Sequence, residues 1–296
     1  MIRFPNQPTV CWIICILFLS CPFTVHSGTI REPVWAGQFY PQKNTELLEI
    51  IHSLTEKAAS QYKNAIKKHH PSKKIKGIIL PHAGYIYSGF TAASSGMLLK
   101  QEQFEKVILM GPDHRIGFRN GAISNVAFYQ TPLGKIRVHE DAKKLLEGFD
   151  IFRSMPESDK KEHSIEVILP FLQAYLKDFS FIPVVLGRGD VKKYADALKT
   201  KIDDQTLLVA SSDLSHFLNY DEAVRRDKET IDLILKNKKE QLMARDNCAC
   251  GKIPILVLLE IAQERNWNPV LISYTNSGDT AGDKRRVVGY TTIAFY

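Results

Sequence analysis

Cysteine is scarce in most of this chain. Of five in 296 residues, Cys11, Cys15 and Cys21 fall within the first 27, leaving Cys248 and Cys250 for the rest. Two thiols cannot staple a domain of this size, which excludes a disulfide scaffold. Separated by one residue, they would close only a small, strained ring. They are a labile redox pair, metal-competent thiols, or small hydrophobes near a helix start. Several local motifs are absent as well: G-x-G-x-x-G, the Walker loop, H-E-x-x-H, paired zinc-finger spacings and the G-x-S-x-G elbow. No local signature therefore marks a dinucleotide enzyme, a phosphate-loop NTPase, a zincin or an α/β-hydrolase. The basic stretch "KNAIKKHHPSKKIK" (63–76) lacks interleaved aromatics, so it reads as a solvated linker and nucleic acid is not an expected partner.

Residues 1–27 stand apart. A single charge, Arg3, precedes "VCWIICILFLSC" and then "PFTVHS". The apolar run is short of the ~20 residues a spanning helix needs, and its order matches a secretory signal. Val25 and Ser27 place a cleavage site before Gly28, while "FLSC", with Phe18 first, resembles a lipoprotein box at Cys21. The expectation is a signal peptide or N-terminal anchor over 1–27 and an exported body over 28–296, with membrane contact through the N-terminal segment only. The segment carries one arginine and no acid, so the formal charge falls from +7 to +6 without it.

The body has a 44% apolar composition over the whole chain, enough for one packed domain. A helix is expected from Asn44, with Leu47, Leu48, Ile50, Ile51 and Leu54 on one broad face. "KGIILPH" and "KVILMGPDH" are continuous apolar runs of strand length around a helical stretch, which makes a βαβ unit. "FSFIPVVLG", "TLLVASSD", "NPVLISYTN" and "RVVGYTTIAFY" add strands. Helices are expected at "SIEVILPFLQAYLK", broken at Pro170, at "DVKKYADALKTKI", from Asp221 to Met243, and at "CGKIPILVLLEIAQE". "AISNVAFYQTPLGKIRVH" reads as an edge hairpin around Pro132 and Gly134. The fold class is α/β, a single domain with a mostly parallel mixed sheet flanked by helices.

In such sheets ligands bind beyond the carboxyl ends of the parallel strands. His82, Asp113 with His114, and Asp213 with His216 all follow apolar runs. If those strands are parallel neighbours, the three histidines face one crevice. His163 and Glu166 share a helix face at i, i+3, whereas His52, His69, His70 and His139 have no comparable setting. A single such histidine is more often structural. Imidazoles grouped around an open position suit iron, copper, zinc or nickel. The serines of "SSDLSHF" do not make a hydrolase elbow, and "YTNSGDTAGDKRRVVGY" is explained nearly as well by a loop between strands as by a phosphate cradle.

Seven collinear segments, "REPVWAGQFYP", "PHAGYIYSG", "GPDH", "EHSIEVILPFL", "SSDLSHF", "CGKIPI" and "NSGDTAGDKRRVVGY", resemble the Memo family, whose bacterial and archaeal members are often named AmmeMemoRadiSam system protein B. The resemblance implies a fold similar to the catalytic subunit of class III extradiol dioxygenases and a cytoplasmic location in most relatives. It implies His82, His114 and Cys250 as ligands to iron or copper, with Asp213 and His216 lining the pocket. Two readings follow from it. One is a metal-dependent oxidoreductase in which His216, oriented by Asp213, moves protons. The other is a non-catalytic module that holds a metal, small molecule or peptide in the same pocket, as the link of animal members to phosphorylated receptor peptides suggests. Cys248 adds a second thiol beside the implied ligand, and a cysteine in place of the dioxygenases' carboxylate alters the metal's chemistry.

Overall fold

The computed structural model describes residues 29–69 and 74–296. Among them twelve strands form two sheets: β1 (Ile30–Arg31), β2 (Gly77–Leu80), β3 (Lys106–Pro112), β4 (Gly121–Ile123), β5 (Phe128–Thr131), β6 (Gly134–Arg137), β7 (Phe152–Arg153), β8 (Ser180–Leu186), β9 (Thr206–Ser211), β10 (His216–Leu218), β11 (Pro269–Asn276) and β12 (Val287–Phe295). The main sheet runs β10-β12-β2-β9-β3-β8-β4-β7, with β11 paired to β12. β2, β9, β3 and β8 form a continuous parallel block. Every residue of β2, β3 and β9 is buried, because helices cover both faces and no polar alternation is needed. One hydrophobic cluster lies on each face, the first around Leu47, Leu80 and Phe171, the second around Ile108, Ile182 and Leu258.

The sheet is mixed, as expected, but parallel pairing does not dominate it: β8–β4 and all three pairings of β12 are antiparallel. The C-terminal strands return as a hairpin, which two-sided helix cover does not forbid. β2 and β3 are separated by β9 rather than adjacent. The hairpin of β5 and β6 forms at Pro132 and Gly134 but belongs to a separate three-stranded sheet with β1. Pro170 sits in the first turn of helix Leu169–Tyr175, after the break from helix His163–Glu166, where its missing N–H costs nothing.

The first helix runs from Asn44 to His69, so the basic stretch begins as helix rather than linker, consistent with its lysines and alanine. Its buried stripe is Leu47, Ile51, Thr55 and Ala58, and Ile50 faces outward. The leader expected over 1–27 lies outside the described residues. Among the described residues no helix is long and apolar enough to cross a membrane, which corrects the expected membrane contact as far as those residues reach.

Glu166 is fully buried and accepts from Arg31 Nη1 (2.5 Å), Tyr40 Oη (2.6 Å) and the backbone N–H groups of Val34 and Trp35. It thus ties residues 31–40 to the helix that carries His163. Removing one partner of a buried pair leaves a charge without compensation, at a cost of about 3–5 kcal/mol. Arg31→Ala is expected to lose about that much stability by denaturant titration; a loss below about 1 kcal/mol would refute the role of the pair.

Candidate metal centre

Parallel pairing brings the strand ends to one edge: Leu80 of β2 lies opposite Ser211 of β9, and Met110 of β3 opposite Ala210. His82, His114 and Asp213 each sit two residues beyond a strand. Two glycines let further elements close in. A Cβ on Gly111 would stand 2.3 Å from Ser164 Oγ, and one on Gly251 would stand 2.3 Å from the Ser211 carbonyl oxygen. Only glycine permits helix His163–Glu166 and the start of helix Lys252–Glu264 to settle there, which delivers His163 and Cys250.

His82 is 1% exposed. Its Nδ1 lies 2.6 Å from Ser211 Oγ, and that hydroxyl donates to the Ser164 carbonyl at 2.6 Å. With the hydroxyl proton so used, Ser211 accepts from His82 Nδ1–H, and the Nε2 lone pair faces Cys250 Sγ at 3.3 Å. Bond lengths of ~2.0 Å to nitrogen and ~2.3 Å to sulfur on a tetrahedral ion put the two donors about 3.5 Å apart. The pair therefore fits one ion. His114 completes the group, each residue offering one ligand atom within 4.8 Å of the others. Cys250 is held by its own N–H on the Asp213 carbonyl and by the Asp213 N–H on its sulfur. Burial, then the charge of Asp213, pushes the Cys250 thiol up, so metal binding there must release a proton.

The His82 and His114 rings meet edge to face at 5.2 Å, and His163 stacks on His114 at 4.5 Å. Burial, then the nearby histidines, holds His82 well below its usual range. Burial and the charge of His114 bring His163 down to about 4. Both rings are neutral near pH 7, the state that ligates. Two further groups, His114–Glu162–His163 and Asp213–His216–Cys250, meet the same distance limit. Burial opposes ionisation of Glu162, yet His114 and the backbone N–H groups of His114 and Ser164 hold it at about 2.

Asp213 is buried, and its Oδ1 accepts from the His82 N–H at 2.8 Å. Burial raises it to about 7 against the pull of that N–H, of His114 and of the Ala83 N–H. His216 is not oriented by Asp213, contrary to expectation: its Nδ1 donates to the Leu214 carbonyl at 2.8 Å, because the loop folds back on itself there. Burial lowers its pKa. Asp213, His216 and His163 line a cavity of about 490 Å³ together with Phe39, Tyr87 and Arg286.

The five residues expected as ligands or pocket lining, His82, His114, Asp213, His216 and Cys250, gather at this edge. Asp113 does not join them; its carboxylate accepts from the N–H groups of Arg115, Ile116 and Gly117 and closes the loop. Cys248 is unpaired and 1% exposed, donating to the Arg245 carbonyl within the core, so it acts as a small hydrophobe and not as a second thiol of the site. Glu166 faces Arg31 rather than the histidines. Sequence reasoning missed Glu162 and Ser211. The available signal for Glu162 was an acid directly before a histidine-headed helix, a capping position, which it occupies.

A family model described as Memo-like protein matches residues 31–294. This chain belongs to the Memo family. It is 32% identical over 274 residues to a MEMO1 family protein of Thermoplasma acidophilum, covering 89% of this chain and 97% of that relative. MEMO1 family proteins of Nitrosopumilus maritimus (34% over 282 residues) and Aquifex aeolicus (32% over 285) each align over 90% of this chain and 99% of their own length. The Memo match includes every residue of the candidate centre.

Asp213 gives this Memo site a pH signature. Between about pH 4 and 7 the native carboxyl keeps a proton that the unfolded chain, with a usual value of 3.8, has released. The contribution of Asp213 to stability therefore falls as pH rises through that window. The stability of metal-free wild type minus that of Asp213→Asn is expected to decline from pH 4 to 7 in paired denaturant titrations. A difference that stays flat across the window would contradict the raised pKa.

Proposed function

We propose that the chain is a metal-binding redox protein in which His82, His114 and Cys250 hold iron or copper and a ligand occupies the adjoining cavity. The observation that carries this reading is the convergence of the His82 Nε2 lone pair, Cys250 Sγ and His114 beside the cavity. Two imidazoles and a thiolate make a mixed set that suits either ion. Such an ion supplies electron exchange with an oxygen species and polarises a ligand beside it. His216, with Nδ1–H fixed on Leu214, keeps an Nε2 lone pair that can take a proton, and Asp213 fixes His82 through its backbone. The likeness to class III extradiol dioxygenases is what membership of the Memo family implies, and histidines at parallel strand ends support it. A cysteine ligand, itself oxidisable, speaks for a different reaction on that fold. The proposed setting is outside the cytoplasm, on the strength of residues 1–27 alone.

One feature favours the alternative of a non-catalytic binding module. Phe217 lines the cavity yet is 61% exposed, in a left-handed conformation (φ 60°), with the Arg286 guanidinium 5.0 Å from its ring centroid. An aromatic and a cation held at a cavity mouth suit contact with a peptide or small anion.

Metal analysis of the anaerobically purified chain is expected to find near-stoichiometric iron or copper, reduced at least about 10-fold in folded His82→Ala and Cys250→Ala. The loaded protein is expected to consume oxygen with a reductant present. Bound metal without oxygen consumption selects the binding module, and a wild type that retains neither ion refutes the metal site.

A further inference from the structure

His114 is a member of two candidate groups, one with His82 and Cys250 and one with Glu162 and His163. The distances separate them. His114 Nδ1 lies 2.8 Å from Glu162 Oε1, whereas two donors on a tetrahedral ion with ~2.0–2.2 Å bonds stand about 3.4 Å apart. A separation of 2.8 Å is that of a hydrogen bond. Glu162 is also occupied on both oxygens. Oε1 accepts from the His163 N–H (3.0 Å) and the Ser164 N–H (2.9 Å), and Oε2 from the His114 N–H (2.8 Å). Its side chain is fully buried, so no solvent competes for these contacts. A carboxylate surrounded by three backbone N–H donors has no proton to give, and the His114 ring must be the donor in the fourth contact.

We propose that Glu162 is not a metal ligand but a positioning residue that locks His114 as the Nδ1–H tautomer, leaving Nε2 as its only ligating nitrogen and confining the ion to the side of His82 and Cys250. This rests on the metal-site reading above. The backbone N–H contact fixes the loop, the ring contact fixes the tautomer, and both come from one carboxylate. Ser211 does for His82 what Glu162 does for His114. The hydroxyl is neutral and the carboxylate is charged, so the contact to His114 is the charge-assisted one of the two.

Two measurements test it on the full chain. Nitrogen-15 NMR of metal-free wild type, with the His114 ring assigned by its absence in His114→Ala, is expected to show the proton on Nδ1; a proton on Nε2 overturns the proposal whatever any variant does. Titration with Fe(II), and separately with Cu(I), is expected to show about 10- to 100-fold weaker binding by Glu162→Ala. Glu162→Gln, which keeps an acceptor without the charge, is expected to fall between. In folded Glu162→Ala the His114 proton is expected to move towards Nε2, a change that a purely structural role would not produce. Affinity within threefold of wild type, or an unmoved proton in that variant, overturns the proposal. Absence of metal binding by wild type defeats the metal-site reading instead, and the NMR measurement still judges the tautomer.

Discussion

The in-register parallel pairing of β2, β9 and β3 is the constraint on which the site depends. Because these strands run the same way, their carboxyl ends emerge at one edge, and the residues just beyond them become neighbours despite separations of up to 131 positions along the chain. The side-chain period of a strand is two, so a slip of one residue would turn every side chain to the opposite face. Continuous burial of all three strands penalises any such slip that exposes backbone or leaves a void.

Buried carboxylates then hold the loops. Asp213 takes the N–H of His82, Glu162 that of His114, Glu166 those of Val34 and Trp35, and Asp227 that of Ser215. Each burial has a desolvation cost that the N–H contacts offset in part. What results is a site whose backbone is fixed by contacts within the chain. Gly289 shows how closely this is fitted: a Cβ there would stand 1.9 Å from Asp227 Oδ2, while the Gly289 carbonyl accepts from Leu214 and its N–H donates to Ser215. The loop bearing Asp213 and His216 is thus clamped between a strand and a helix. Pre-positioned donors lose little freedom when an ion or ligand binds.

The two histidines proposed to share an ion with Cys250 stand in different surroundings. His82 is enclosed and braced by a neutral hydroxyl, while His114 has a 26% exposed side chain and is braced by a carboxylate. The thiol between them is protonated in the metal-free state because burial opposes its charge. A protonated thiol, a neutral His82 imidazole and an Asp213 carboxyl raised to about 7 together keep the pocket low in charge until a cation arrives. This arrangement favours a cation over an anion at the donors.

The apolar runs and the strand-end histidines were legible from the chain because continuous burial and a polar loop leave a local mark. His82, His114, Asp213, His216 and Cys250 could be named on that basis together with collinear motifs. Glu162 and Ser211 could not, since a serine ending a strand or an acid capping a short helix has many other uses. The order of strands, the antiparallel return of β12, the retreat of Cys248 into the core and the pairing of His216 with Leu214 were decided only by the tertiary structure. Periodicity records which faces are buried. It carries nothing about which distant backbone lies alongside, and that contact determines every hydrogen bond that sets a tautomer or orients a thiol.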